Sequence, residues 1–223
     1  ITKSLFKHGV FAAPLESHDD FVLEGGSIES DGKGMVFTTA QCLLAPHRNQ
    51  PLDEAEIEEK LKATLGAKRV VWLHHGNLVG DDTDGHIDTI VRICPNDTLL
   101  YVGCDDEADE QYADFKALEA ELQALTTADG KPYRLLKLPM PDKMVFDGER
   151  LPATYANFLV INGAVIVPVY GQPEKDGEAE ALIGEAFPGR EVIAVDASVI
   201  VRQHGSIHCI TMQLPKGMIK TNM

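Results

Sequence analysis

Phe158-Leu159-Val160-Ile161-Asn162-Gly163-Ala164-Val165-Ile166-Val167 is the stretch that decides the fold. Two apolar, largely β-branched runs flank Asn-Gly, which predicts two antiparallel strands joined by a two-residue type I′ turn. The same unit stands twice upstream. Ile90-Val91-Arg92-Ile93 and Leu99-Leu100-Tyr101-Val102 enclose a turn at Pro95-Asn96-Asp97. Earlier still, Val22-Leu23 and Ser27-Ile28-Glu29 precede Met35-Val36-Phe37 across a turn at Asp31-Gly32-Lys33-Gly34. The turns at Asp31, Asn96 and Asn162 lie 65 and 66 residues apart, a regular period.

A helix follows each hairpin. Asp53-Glu54-Ala55-Glu56 opens the first as a capping box, with Ile57, Leu61 and Leu65 on one face and Gly66 as the stop. Tyr112, Phe115, Leu118, Leu122 and Leu125 recur at steps of three and four in the second, as do Ala179, Leu182, Ile183, Ala186 and Phe187 in the third. A short apolar strand then closes each unit: Val70–Leu73, Leu135–Leu138 and Val192–Val195. The chain therefore reads as an α/β fold of ββαβ repeats, over approximately 10–75, 76–140 and 141–204, with a partial fourth over 205–223 that starts on Ser206-Ile207-His208-Cys209-Ile210. No linker interrupts it, so residues 1–223 are expected to be a single domain. Repeats of one such unit can pack around an axis as a propeller, which would bring equivalent positions together at the centre.

Composition narrows the function. The chain has 223 residues and a net charge of −15, which argues against nucleic acid and anionic lipid and favours cationic partners. No apolar run approaches the ~20 residues needed to span a bilayer. The four cysteines form no CxxC pair, which suits a reduced, cytoplasmic protein. Cys42, Cys94 and Cys104 stand among apolar neighbours and read as packed thiols.

Polar residues mark the entrances of the strands: Glu24 in the first unit, His86 and Asp88 in the second, Cys209 in the partial fourth. If an axis relates the units, these side chains converge. A thiol, an imidazole and carboxylates in one pocket suit a guanidinium. Carboxylates bind its N–H edges, a thiolate attacks its central carbon, and the imidazole hands protons to ammonia and takes them from water.

At these residues the chain resembles agmatine deiminase and the bacterial peptidylarginine deiminases of the pentein, or guanidine-modifying, superfamily. The resemblance rests on Phe21-Val22-Leu23-Glu24-Gly25-Gly26-Ser27-Ile28, Cys42-Leu43-Leu44 with Arg48-Asn49, Gly80 to Asp88, Tyr155-Ala156-Asn157-Phe158, and Gly205 to Gln213. It implies a five-fold propeller, of which this chain would hold about three and a half units. Carried over by position, Cys209 would be the nucleophile, His86 the general acid/base, and Asp88 the guanidinium clamp. Glu24 would hold substrate and histidine, and Asp82 and Gly205 would join the substrate-binding set. The implied reaction hydrolyses agmatine to N-carbamoylputrescine and ammonia through a thiouronium on Cys209, with no cofactor or metal. A homo-oligomer is compatible with it. Peptidyl-arginine hydrolysis, amidino transfer and a non-catalytic binding role are the alternatives. The family's further guanidinium-binding aspartate, in a Trp-x-Arg-Asp segment, has no counterpart here. With Ile1 in place of methionine, the chain is expected to lack its N-terminal third and to need it for activity.

The stretch of His74-His75 with Asp81, Asp82 and Asp84 reads as a polar active-site loop instead of a metal site. It fails the EF-hand pattern, because Gly80 and Val91 stand where the first and twelfth ligands belong. On a strand, His208 would point away from Cys209 and serve as a hydrogen-bonded structural residue. His204 is expected to have no role.

Overall fold

The computed structural model describes residues 1–220. After a short N-terminal helix α1 (Thr2–Lys7), the first unit contains β1 (Ile28–Ser30), β2 (Met35–Thr39), the single-turn α2 (Ala40–Leu43), α3 (Glu54–Leu65) and β3 (Arg69–Leu73). The second contains β4 (Val91–Cys94), β5 (Thr98–Val102), α4 (Tyr112–Ala124) and β6 (Arg134–Leu138). A small hairpin follows, β7 (Val145–Phe146) with β8 (Glu149–Arg150). The third unit contains β9 (Leu159–Ile161), β10 (Ala164–Val169), α5 (Pro173–Ala186) and β11 (Glu191–Asp196). Each unit forms its own three-stranded sheet, with its second strand in the middle. That strand pairs antiparallel with the first and parallel with the third, the helix making the crossover.

Local chemistry accounts for these elements. Every residue of β2 and β5 is buried, as expected of continuous apolar runs in middle strands. Helix α3 starts on the capping box: Asp53 accepts from Glu56 N at 2.9 Å, and the Glu56 carboxylate accepts from Asp53 N at 2.9 Å. Ile57 and Leu61 are fully buried over Cys42, Leu43 and Val70 in a small core. Helix α5 packs on β5 and β6 as well as on its own β10 and β11, so the second and third sheets share the larger core.

Three expectations need correction. Gly163 takes φ +86°, but Asn162 keeps a negative φ, so the Asn-Gly turn is not type I′. The two-residue loop survives because only its second position requires the left-handed region. Leu65 is exposed because the helix ends there. The stretch from Ser206 is not a strand: Ile207–Ile210 form a turn. With no sheet to join, that segment presents its side chains by turn geometry instead of by alternation. Among the described residues, no helix is long and apolar enough to cross a membrane.

One buried side chain ties the three sheets together. Arg92 of β4 is 5% exposed. Its Nε donates to Glu29 of β1 at 2.8 Å, and its Nη1 donates to the carbonyls of Ala156 and Phe158 at 2.8 and 2.5 Å, just before β9. Glu29 also accepts from Ile93 N at 2.9 Å. The guanidinium lies 4.4 Å from the centre of the Phe158 ring. Deleting one partner of a buried pair strands the other charge, at about 3–5 kcal/mol. Arg92→Ala is therefore expected to lower the unfolding free energy by that amount in urea denaturation, with Arg92→Met/Glu29→Leu recovering much of it. A single variant within 1 kcal/mol of the parent would exclude this role.

Candidate active site

The strand entrances share a local design. Glu24 precedes a single 3-10 turn (Gly25–Ser27) that leads into β1, and His86 precedes another (Ile87–Thr89), containing Asp88, that leads into β4. In each, the hydroxyl three residues on closes the turn: Ser27 Oγ donates to Glu24 O at 2.6 Å and Thr89 Oγ1 to His86 O at 2.7 Å. Asn157 lies two residues before β9. Its segment, Tyr155-Ala156-Asn157-Phe158, carries the family resemblance in the sequence, but the strand-entrance reading passed over it. Asp81 shapes the loop before His86 by accepting from Thr83 Oγ1 at 2.7 Å and Gly85 N at 2.7 Å.

These entrances open on one cavity of about 700 Å³, lined in part by Glu24, His86, Asp88, Arg92, His208 and Cys209. Asp88 is 1% exposed. Its Oδ2 accepts from Asn157 Nδ2 at 3.0 Å and pairs with His208 Nδ1 at 2.6 Å. Asp88 Oδ1 and His86 Nε2 are buried with no hydrogen-bond partner, the two such side-chain atoms among the described residues. Unpaired buried polar atoms are costly and mark a place where something else completes the bonding. Asn157 Oδ1 also accepts from His208 N at 2.9 Å and Cys209 N at 3.3 Å, fixing the turn that carries the thiol.

Glu24 is engaged differently from a free clamp. Arg48 Nη2 reaches its Oε1 at 2.8 Å and Arg48 Nε its Oε2 at 3.1 Å. Burial pushes the Glu24 carboxyl up, but the Arg48 hydrogen bonds, a backbone hydrogen bond and the nearby Arg48 charge together outweigh it and hold the group below its usual value. Arg48 also donates to Asp84 at 3.1 Å and to the carbonyls of Cys42 and Thr83 at 2.9 and 3.1 Å. Glu24, Cys42 and His86 offer donor atoms within 4.8 Å of one another, the spacing of a metal site. Arg48 occupies the Glu24 oxygens and burial pushes the Cys42 thiol up to about 12, so that donor set fits a cation poorly.

The other expected site residues lie as follows. Asp82 is exposed and is not among the cavity's lining residues. Gly205 backs the thiol, where a Cβ would come within 3.0 Å of Cys209 Cβ. Gly26 makes a closer approach: a Cβ there would sit 2.6 Å from His86 Nδ1 and 2.9 Å from Asp88 Oδ2. His208 faces the cavity alongside Cys209, contrary to the alternation expected of a strand, because both lie in a turn. His204 takes φ +64° and its Nδ1 lies 2.8 Å from Gly80 O, joining the two loops that carry the thiol and the imidazole. Cys42, Cys94 and Cys104 are buried, and Cys209 is exposed.

Three hairpins, each closed by a parallel third strand, thus bring carboxylates and an imidazole from their entrances to one cavity, beside a thiol on the turn that follows the third unit. A sequence model of the Porphyromonas-type peptidyl-arginine deiminases matches residues 2–215, and the chain belongs to that family. It is 38% identical over 221 residues to an agmatine deiminase of Medicago truncatula, covering 91% of this chain and 59% of that protein. A Porphyromonas gingivalis structure provisionally described as an arginine deiminase superposes with a TM-score of 0.95 at 48% identity, over 98% of this chain and 65% of that one. An agmatine deiminase structure from C. jejuni gives 0.82 at 40% identity, over 93% and 59%. The chain thus spans about three fifths of the length of these curated relatives.

Packing around the Cys209 thiol, and after it the Asp88 charge, raise its pKa above the ordinary value. Since the thiolate is the reactive form, alkylation of Cys209 by iodoacetamide is expected to become fast only at more alkaline pH than for a free thiol. Asp88→Asn removes one cause and moves that profile to lower pH. Mass-spectrometric pH-rate profiles check this, and a profile indifferent to Asp88 would refute the coupling.

Proposed function

We propose that this chain carries the reaction centre of a guanidine hydrolase acting on agmatine. The observation that supports this most is the pair of buried, unpartnered atoms, Asp88 Oδ1 and His86 Nε2, on the cavity that bears Cys209. An acceptor without a donor fits a guanidinium N–H, and an imidazole nitrogen without a partner fits a proton carrier. On this reading the cation seats against Asp88 and offsets the charge that keeps Cys209 protonated, so the thiol becomes easier to ionise once substrate is bound.

The steps follow from the residues. The Cys209 proton passes to His86 Nε2 as sulfur bonds to the guanidinium carbon. His86 returns that proton to the departing nitrogen, the C–N bond breaks, and ammonia leaves a thiouronium on Cys209. His86 then takes a proton from water, whose oxygen bonds to the same carbon. The C–S bond breaks as the hydroxyl becomes the carbonyl: the sulfur leaves with its electron pair and takes the hydroxyl proton, while His86 gives its proton to solvent, where the released ammonia takes it up. The ureido product is N-carbamoylputrescine for agmatine, a precursor of putrescine. Gly205 leaves room for the Cys209 side chain, while Arg48 keeps Glu24 anionic beside the imidazole. The three units, within a single deiminase domain over 1–223, are read as part of a five-unit propeller around this cavity. The match to the peptidyl-arginine deiminase family makes peptidyl-arginine the second reading.

Ammonia release in the presence of agmatine, and separately of a peptide with an internal arginine, tests this. The expected result is release from agmatine, by this chain or by a form extended at its N-terminus, that disappears in Cys209→Ala. Release from the peptide alone would select the second reading, and none from either substrate in either form would reject the hydrolase. Gly26→Ala is expected to lose at least tenfold in kcat/KM with little change in Tm, because its new methyl must displace His86 and Asp88. An undiminished Gly26→Ala enzyme would show that their placement does not matter.

A further inference from the structure

The geometry points to His208 as a positioning residue: its bond to Asp88 Oδ2 turns the carboxylate so that Oδ1 alone faces the substrate. This rests on the guanidine-hydrolase reading only for the word substrate; the geometry stands without it. His208 Nδ1 lies 2.6 Å from Asp88 Oδ2, with side-chain exposures of 13% and 1%. The histidine is not free to swing away. Its backbone N–H is held by the Asn157 carbonyl at 3.1 Å and the Asn157 side-chain oxygen at 2.9 Å. Asn157 itself donates to the same Asp88 oxygen at 3.0 Å. Asp88, Asn157 and His208 therefore form a closed triangle that crosses from the second unit to the third and on to the turn of Cys209.

The triangle has a chemical consequence. A carboxylate with both oxygens free could take a guanidinium edge-on in either of two rotations. With Oδ2 committed to two donors, Asp88 offers one acceptor in one direction, and the orphaned Oδ1 is that acceptor. A nearly fully buried carboxylate oxygen left with a single amide donor is under-bonded. Without the imidazole, the carboxylate rotates to share its oxygens, and it stops acting on Cys209 as a fixed, oriented negative charge. The effect travels through Asp88, so His208 need not touch the reacting atoms.

The test uses His208→Ala, His208→Asn, Asp88→Asn and the Asp88→Asn/His208→Ala double variant, read by steady-state kinetics with agmatine and by the pH profile of Cys209 alkylation. Asn can place its side-chain N–H close to where Nδ1 stands, so it is the conservative rescue. His208→Ala is expected to raise KM for agmatine about tenfold or more, the loss of one charge-assisted hydrogen bond, and to move the alkylation profile toward lower pH. His208→Asn is expected to stay within about threefold of the parent. In the Asp88→Asn background, His208→Ala is expected to change neither readout further. An unmoved alkylation profile in His208→Ala, an equal loss in His208→Asn, or an additive double variant would each overturn the inference. If His208→Ala fails to fold, the Asn variant decides, and a tenfold rise in its KM overturns it. If neither the parent nor its N-terminally extended form releases ammonia from agmatine while the alkylation profiles respond as expected, the substrate reading falls and the positioning role stands.

Discussion

A single buried guanidinium sets the frame for this site. Arg92 is taken out of water on β4 and must find acceptors, and it finds them on its neighbours: the Glu29 carboxylate on β1 and two carbonyls at the approach to β9. A desolvated cation tolerates little displacement, because each lost acceptor exposes charge in a low-dielectric interior. Together with apolar packing and the Asp88–Asn157 contact, this holds the sheets in one register. The residues that precede those strands, Glu24, Asp88 and Asn157, are held with them.

The chemistry of the cavity follows from how those groups are satisfied. Arg48 pairs with both oxygens of Glu24, so this carboxylate beside the imidazole is already engaged and is poorly placed to bind a second guanidinium. Asp88 has one oxygen bonded and one free, and His86 has a nitrogen with no partner. The free positions are thus one acceptor, one proton site and one thiol, an arrangement suited to a flat cation that must be held, attacked and protonated in sequence. Burial raises the pKa of the Cys209 thiol most, and the Asp88 charge that would attract such a cation adds to it.

Much of this was legible in the residues. The hairpins, the three helices and their closing strands followed from periods of two and 3.6, because those periods record which face is buried and burial is what folding selects. Phe115, Leu118 and Leu122 are buried as their spacing requires, and so are Ile57 and Leu61. The convergence of Glu24, His86, Asp88 and Cys209 on one cavity was anticipated from their places in the repeat. Periodicity gave no sign that Arg92, in the middle of an apolar strand, would hold three sheets, since it marks a residue's face and is silent on its partners. His208 was misplaced for a related reason: alternation applies only to a strand, and that segment has no neighbour with which to form one.

The sequence by itself determined the units, their order and the kinds of groups at their entrances, because these depend on contacts within about a dozen residues or on a repeat that can be counted. The tertiary structure alone decided which oxygen of Asp88 is free, that Arg48 occupies Glu24, and that Asn157 and His208 complete the carboxylate's shell. Those are choices among donors 24 to 120 residues apart in the chain. They turn on distances of a few tenths of an ångström, and only the assembled packing fixes distances that fine.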